Sequence, residues 1–216
     1  NQQKIGIPFS SQIIGGDLTF SIADQQFKMP VQLFYKYNDQ VDGEIKQPFT
    51  LVPEIDLSIS KDNVFLVSGA DPTVTITVNF RDQIRDGNLD FEGLDSTQVR
   101  ILSIEDISFQ KKRVFKVAFL PKTAGKKVIT ARFTTSSGKS YDQITKQITY
   151  KHIPNLTYFS PASINLIQAD WKVSGEKIGY IPGAGDDVPG VLSALGYKVT
   201  MIGAEDYSVD YLSQFK

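Results

Sequence analysis

Apolar and polar residues alternate along most of this chain with the period of a β-strand, until residue 177, where the pattern changes to strand, glycine loop, helix, strand. Leu18, Phe20 and Ile22 share one face of an early run, with Thr19 and Ser21 on the other. Val31, Leu33, Tyr35 and Tyr37 repeat the arrangement in the next run, and Gly15-Gly16 and Ala23-Asp24 are turn residues between such runs. About three strands fit in residues 1–54, fewer than the roughly seven of a filled sandwich. This partial β-sandwich domain is expected to lean on its neighbour or on strands upstream of Asn1.

Residues 55–151 make the most complete unit. Its predicted strands are Ile55–Ser60, Val64–Val67, Thr73–Phe80, Val99–Ser103, Val114–Leu120, Lys127–Thr135 and Tyr141–Tyr150. In the third, Val74, Ile76, Val78 and Phe80 point one way and threonines the other, the half-buried pattern of an antiparallel sheet. Seven such strands with turns between them predict an immunoglobulin-like β-sandwich, so the chain is expected to be mainly β. The cysteine pair and enclosed tryptophan of antibody domains are absent, since Trp171 lies outside this unit.

Residues 152–176 read as a connector with Pro154, Pro161 and an extended Ile164–Ile167 run. Lys177–Ile181 then reads as a strand, Val188–Leu195 as a helix with Val188, Val191, Leu192 and Leu195 on one face, and Tyr197–Ile202 as a second strand. That order predicts a parallel pair with a crossover helix, and Val209–Phe215 reads as a further helix. Two parallel strands cannot cover both their faces. Residues 177–216 are therefore expected to open a truncated α/β domain, and to pack on the sandwich or take cover from another chain.

Composition narrows the chemistry. A net charge of −1 with both signs mixed leaves no basic stripe for nucleic acid. Zero cysteines remove disulfides, thiolate metal sites and cysteine nucleophiles together. No apolar run approaches the roughly 18 residues of a membrane span. Composition leaves the compartment open.

Several stretches carry candidate chemistry. Gly183-Ala184-Gly185 follows a strand and precedes a helix, as half of a dinucleotide fingerprint would, with Asp186 completing the turn. The third glycine position is Val188, and Asp186 and Asp187 set negative charge where a pyrophosphate would sit. The competing reading is a structural turn whose aspartates cap the helix. Ser136-Ser-Gly-Lys-Ser140 ends like a phosphate loop but lies between two strands, where a hairpin turn fits better. His152 is the sole histidine, too few for a zinc site, and no serine stands in a nucleophile-elbow context. Asp39, Asp42 and Glu44 offer oxygens to calcium without the spacing of a known loop, and read as solvated turn residues. No catalytic residue, cofactor or metal ligand is assigned to this chain on these grounds. An aromatic platform on the 55–151 unit would make it a carbohydrate-binding module.

Three stretches together resemble a known family. They are Tyr35-Lys-Tyr-Asn-Asp-Gln-Val-Asp-Gly-Glu44 with Gln47-Pro-Phe49 and Val52-Pro53; His152-Ile-Pro154 with Thr157-Tyr-Phe159; and Lys177 through Pro189 with Leu195-Gly-Tyr197. In this order they resemble the C-terminal half of large, exported PIG-L (LmbE-like) deacetylases of Bacteroidetes-type bacteria. That resemblance implies a zinc-dependent N-deacetylase domain upstream, acting on N-acetylated sugars, then β-sandwich domains, then a domain similar to class I glutamine amidotransferases. It implies a periplasmic or extracellular parent, and partners that are other domains of the same polypeptide. The family's zinc motif, His-Pro-Asp-Asp with further histidines, has no counterpart here.

Overall fold

The computed structural model describes residues 14–67, 72–120, 124–150, 153, 155–169, 172, 174, 176–183 and 185–215. The protein is mainly β and divides into two units, Asn1–Pro53 with Thr145–Ser160, and Glu54–Ile144 with Pro161–Lys216.

The first unit begins with two hairpins. Strands β1 (Gly15–Ile22) and β2 (Gln25–Gln32) pair antiparallel, as do β3 (Phe34–Asp39) and β4 (Gly43–Pro48). Ala23 and Asp24 carry φ of 47° and 62°, the left-handed pair that closes a two-residue hairpin with the strands' own twist. The register sets Leu18 opposite Met29 and Phe20 opposite Phe27, whose rings stack at 5.6 Å. The reverse face is polar, with Lys28 and Asp17 paired at 2.8 Å. None of the unit's described residues is buried. Two expectations change here. Residues 15–48 hold four strands rather than three, because the Val31–Tyr37 run breaks at Leu33; and Gly15-Gly16 open β1 instead of turning.

The second unit holds the core. Its strands are β5 (Ile55–Ile59), β6 (Asn63–Leu66), β7 (Thr73–Phe80), β8 (Gly87–Glu92), β9 (Val99–Ile107), β10 (Lys112–Phe119), β11 (Gly125–Thr135) and β12 (Ser140–Tyr141). After them come β13 (Gln143–Ile148), β14 (Leu156–Pro161) and β15 (Ser163–Gln168). One sheet runs β5-β7-β10-β9, antiparallel throughout. In the other, β11 takes β8, β15 and the short β12, and β6 lies parallel to β15. Val74, Ile76, Val78 and Phe80 alternate with half-buried residues along β7 and join one apolar cluster with Ile129, Ala131 and Phe133 of β11 and Ile164 and Leu166 of β15. Edge-on ring contacts cross from sheet to sheet, Phe80 to Phe133 at 5.7 Å and Phe91 to Phe119 at 5.3 Å. Each fully buried aliphatic or aromatic side chain removes enough apolar area from water for about 1.5–3 kcal/mol.

The predicted boundaries shift accordingly. Residues 152–176 are not merely a connector, because Ser163–Gln168 is an inner strand bonded on both edges, to β11 and to β6. The predicted strand Tyr141–Tyr150 breaks at Asp142, whose carbonyl accepts from the Ala162 amide at 2.7 Å. From there β13 pairs with β14, and residues 145–160 belong to the first unit.

In the terminal segment, β16 (Lys177–Tyr180) and β17 (Lys198–Met201) pair in parallel, with α1 (Val188–Ala194) between them in sequence and α2 (Val209–Leu212) after them. A Cβ on Gly179 would lie 2.4 Å from Ile202 and 2.9 Å from the Phe215 ring, so glycine lets the chain end close over β16. Ile202 is the one buried side chain of the described residues here, whereas Val188, Val191, Met201 and Leu212 stay exposed.

Candidate functional site

The glycine loop joins β16 to α1. Gly185 has φ of 77°, and its amide bonds to the Gly183 carbonyl at 3.1 Å, so that donor is spent inside the turn. The Tyr180 hydroxyl donates to Asp186 Oδ1 at 2.6 Å, and this bond to a carboxylate, more than burial, raises the phenol above its ordinary range. Asp187 occupies the helix N-cap, yet its side chain makes no cap hydrogen bond, contrary to the capping expected of it. Its carboxylate instead lies over Gly190 in the first turn, where an added Cβ would sit 2.5 Å from Oδ1. Ala184 lies outside the described residues. The turn is thus closed by its own bonds, and it presents two carboxylates in front of a helix of seven residues. Across from α1, a groove of about 760 Å³ separates Asp187 and Val191 from Lys61, Asp62 and Phe65 in and around the β5–β6 turn.

The other candidates fall at separate places. Residues 135–139 form the β11–β12 hairpin turn, with the Thr135 amide on the Lys139 carbonyl at 2.9 Å and the Thr135 and Ser137 hydroxyls 2.9 Å apart. Asp39 accepts from the amides of Val41 at 2.8 Å and Asp42 at 3.0 Å in the β3–β4 turn; these bonds hold its carboxyl below the usual carboxylate range. Glu44 is paired with Lys36 and, at 3.5 Å, with Lys46, and the bond to Lys36 lowers its carboxyl likewise. Of the oxygens considered for calcium, those of Asp39 are therefore engaged by the turn and those of Glu44 by ion pairs, while Asp42 takes part through its backbone amide. His152 and Trp171 lie outside the described residues. Among the described residues, no group of three or more His, Cys, Asp and Glu stands ready for a metal, and no helix is long and apolar enough to cross a membrane.

Two polar clusters escaped the sequence. Glu54 Oε2 accepts from Arg85 at 2.9 Å and from the Tyr141 hydroxyl at 3.0 Å, with Lys139 at 3.8 Å. The tyrosine bond leads in lowering the Glu54 carboxyl, while partial burial, ahead of that bond, raises the phenol. This cluster ties the start of β5 to the loop before β8 and to β12. On the first sheet, Arg113 grips Asp106 at two points, 2.6 and 2.9 Å, with Asp86 at 3.6 Å. The fork geometry lowers the Asp106 carboxyl and holds the guanidinium charged. Partners 31 and 87 residues apart leave no local signature to read.

The aromatic platform that carbohydrate binding would need on residues 55–151 is not found among the described residues, where the exposed aromatics are Phe109, between β9 and β10, and Tyr150, after β13. The first unit carries a different one: Tyr35 and Tyr37, two residues apart on β3, expose their rings with centroids 5.6 Å apart. Gln47 stands directly opposite Tyr35 and accepts from the Asn155 amide at 3.2 Å. Compared with known proteins, the chain matches no family model and no curated protein.

Proposed function

We propose that this chain is a non-catalytic accessory region of a multi-domain PIG-L-like N-deacetylase, holding other domains of the same polypeptide at a fixed spacing. The observation that carries the structural half is strand order. β5-β7-β10-β9 facing β8-β11-β15-β6 corresponds to the A-B-E-D and C-F-G sheets of an immunoglobulin-like sandwich, with β6 as an extra strand beside the last. In that correspondence the β13–β14 hairpin is a lengthened F–G connection. The terminal β16-α1-β17 segment is the opening of an amidotransferase-like α/β domain. Its exposed Val188, Val191 and Met201, with the uncovered face of β1 and β2, supply surfaces for neighbouring domains.

The deacetylase half rests on the resemblance, whose described motif residues lie on the β3–β4 hairpin, in the approach to β5, on strand β14, on β16 with the loop that follows it, and at the two ends of α1. Zinc belongs to the parent's catalytic domain, because one histidine and no cysteine do not make its donor set here. The exported location likewise follows the resemblance. Incubating the isolated chain with N-acetylated sugars, with and without added zinc, is expected to release no acetate. Zinc-dependent turnover would overturn the reading.

A second reading, carbohydrate binding, is favoured by Tyr35 and Tyr37. Exposed rings on one strand suit the apolar faces of successive sugars, and the amides of Gln47 and Asn155 suit hydroxyl groups. Affinity electrophoresis through a panel of soluble polysaccharides is the measurement. Retardation that Tyr35→Ala weakens at least about tenfold, the scale of a lost stacking contact of ~1.4 kcal/mol, supports it. Unretarded migration through every polysaccharide removes it.

A further inference from the structure

We infer that β9 is a self-complementary edge through which two copies of this chain pair into one continuous sheet. Strand β9 ends its sheet, and its sole strand partner among the described residues is β10. It is nine residues long, without proline, and exposed from Arg100 to Asp106. An uncapped edge of this kind offers a row of backbone donors and acceptors to another strand.

The side chains say which strand fits. Ile101 and Ile104 lie opposite Val117 and Phe115 of β10, on the core-facing side. Yet they are 42% and 58% exposed while those two partners are 0% and 2% exposed. The apolar layer therefore runs past the point where the facing sheet covers it. A register shift between Lys116 and Val117 leaves Leu102 as an extra residue. That bulge places Ile101 and Ile104, three apart in sequence, on one face, and Arg100 and Glu105, opposite Ala118 and Val114, on the other.

An antiparallel second copy can then be laid alongside with Arg100 opposite Glu105 of its mate. In that register Ile101 meets Ile104, and the twofold axis makes each pair occur twice. Opposite charges directly across a ladder stabilise it, and like charges there destabilise it. An unrelated strand would satisfy the backbone equally, but only a second β9 meets both the charge order and the isoleucine pair in one alignment. At the axis Leu102 faces Ser103 and the ladder is interrupted. The contact is narrower than the ~1,000 Å² of a stable interface, so the dimer is a weak one.

Sedimentation equilibrium of the whole chain, from about 1 µM to 1 mM, tests this over the range expected of so small a contact. The weight-average mass should rise from one chain towards two. Arg100→Glu and Glu105→Arg should each weaken association at least about tenfold by setting like charges opposite one another. The double variant R100E/E105R should regain it, and Ile104→Lys should abolish it. All of these positions are exposed, and circular dichroism of each variant confirms the fold. A monomer throughout the range overturns the proposal. So does a dimer that ignores the single charge reversals, or a double variant that stays as weak as the singles.

Discussion

A fragment of residues 54–151 is expected to be unfolded, whereas residues 54–168 should fold cooperatively. The difference is β15. It contributes Ile164 and Leu166, with Ala162 just before it, at 0–1% exposure to the apolar cluster. Burial of the isoleucine and leucine alone stabilises by about 3–6 kcal/mol. Removing the strand also unpairs the Gly125–Thr130 half of β11 and leaves β6 with no neighbour in its sheet. Set against a total of about 5–15 kcal/mol for a domain, that loss leaves little or nothing. Amide proton dispersion in a nitrogen-correlated spectrum distinguishes the outcomes directly. A dispersed spectrum from the shorter fragment would mean that the core closes without β15, and that residues 152–176 are a connector after all.

The same strand shows why the chain was only partly legible. Its alternation was visible as the Ile164–Ile167 run, but 27 residues, Pro154 and Pro161 among them, lie between the end of β11 and its start, and 96 between β6 and its start. Its place beside β11 and β6 is a pairing across more than thirty and about a hundred residues, which period alone does not reveal. By contrast, Thr73–Phe80 was legible to the residue, because four apolar side chains alternate with threonine and asparagine over eight positions. Strand β8 went unread, since Gly87-Asn-Leu-Asp-Phe-Glu92 shows just two apolar residues, Leu89 and Phe91, in a turn-rich stretch. Chemistry at the glycine loop followed a similar rule. The two carboxylates could be seen in sequence, but the Tyr180–Asp186 bond and the spent Gly185 amide are products of backbone geometry.

Phe133→Ala is expected to cost the core about 3–5 kcal/mol, the range for deleting a buried phenylalanine ring. Phe133 is 0% exposed, two residues before the end of β11, edge-on to Phe80 and 6.4 Å from Phe115. Its ring is also gripped from the neighbouring strand. A Cβ on Gly87 would stand 2.7 Å from the ring's Cζ and 2.5 Å from the Thr134 carbonyl oxygen. Since the backbone at Gly87 is already in contact, β8 cannot move inward freely, and the alanine leaves a cavity rather than a collapsed site. With about 1–3 kcal/mol per molar for the urea dependence, the midpoint should fall by roughly 1–5 M or the protein should be unfolded outright. Phe133→Leu, which keeps most of the volume, is expected to lose roughly half as much or less. Urea titrations of the three proteins, followed by far-ultraviolet circular dichroism, measure both shifts. A loss below about 1 kcal/mol for the alanine variant would show that the two sheets are not closed on this ring, since such a value is typical of partly exposed positions.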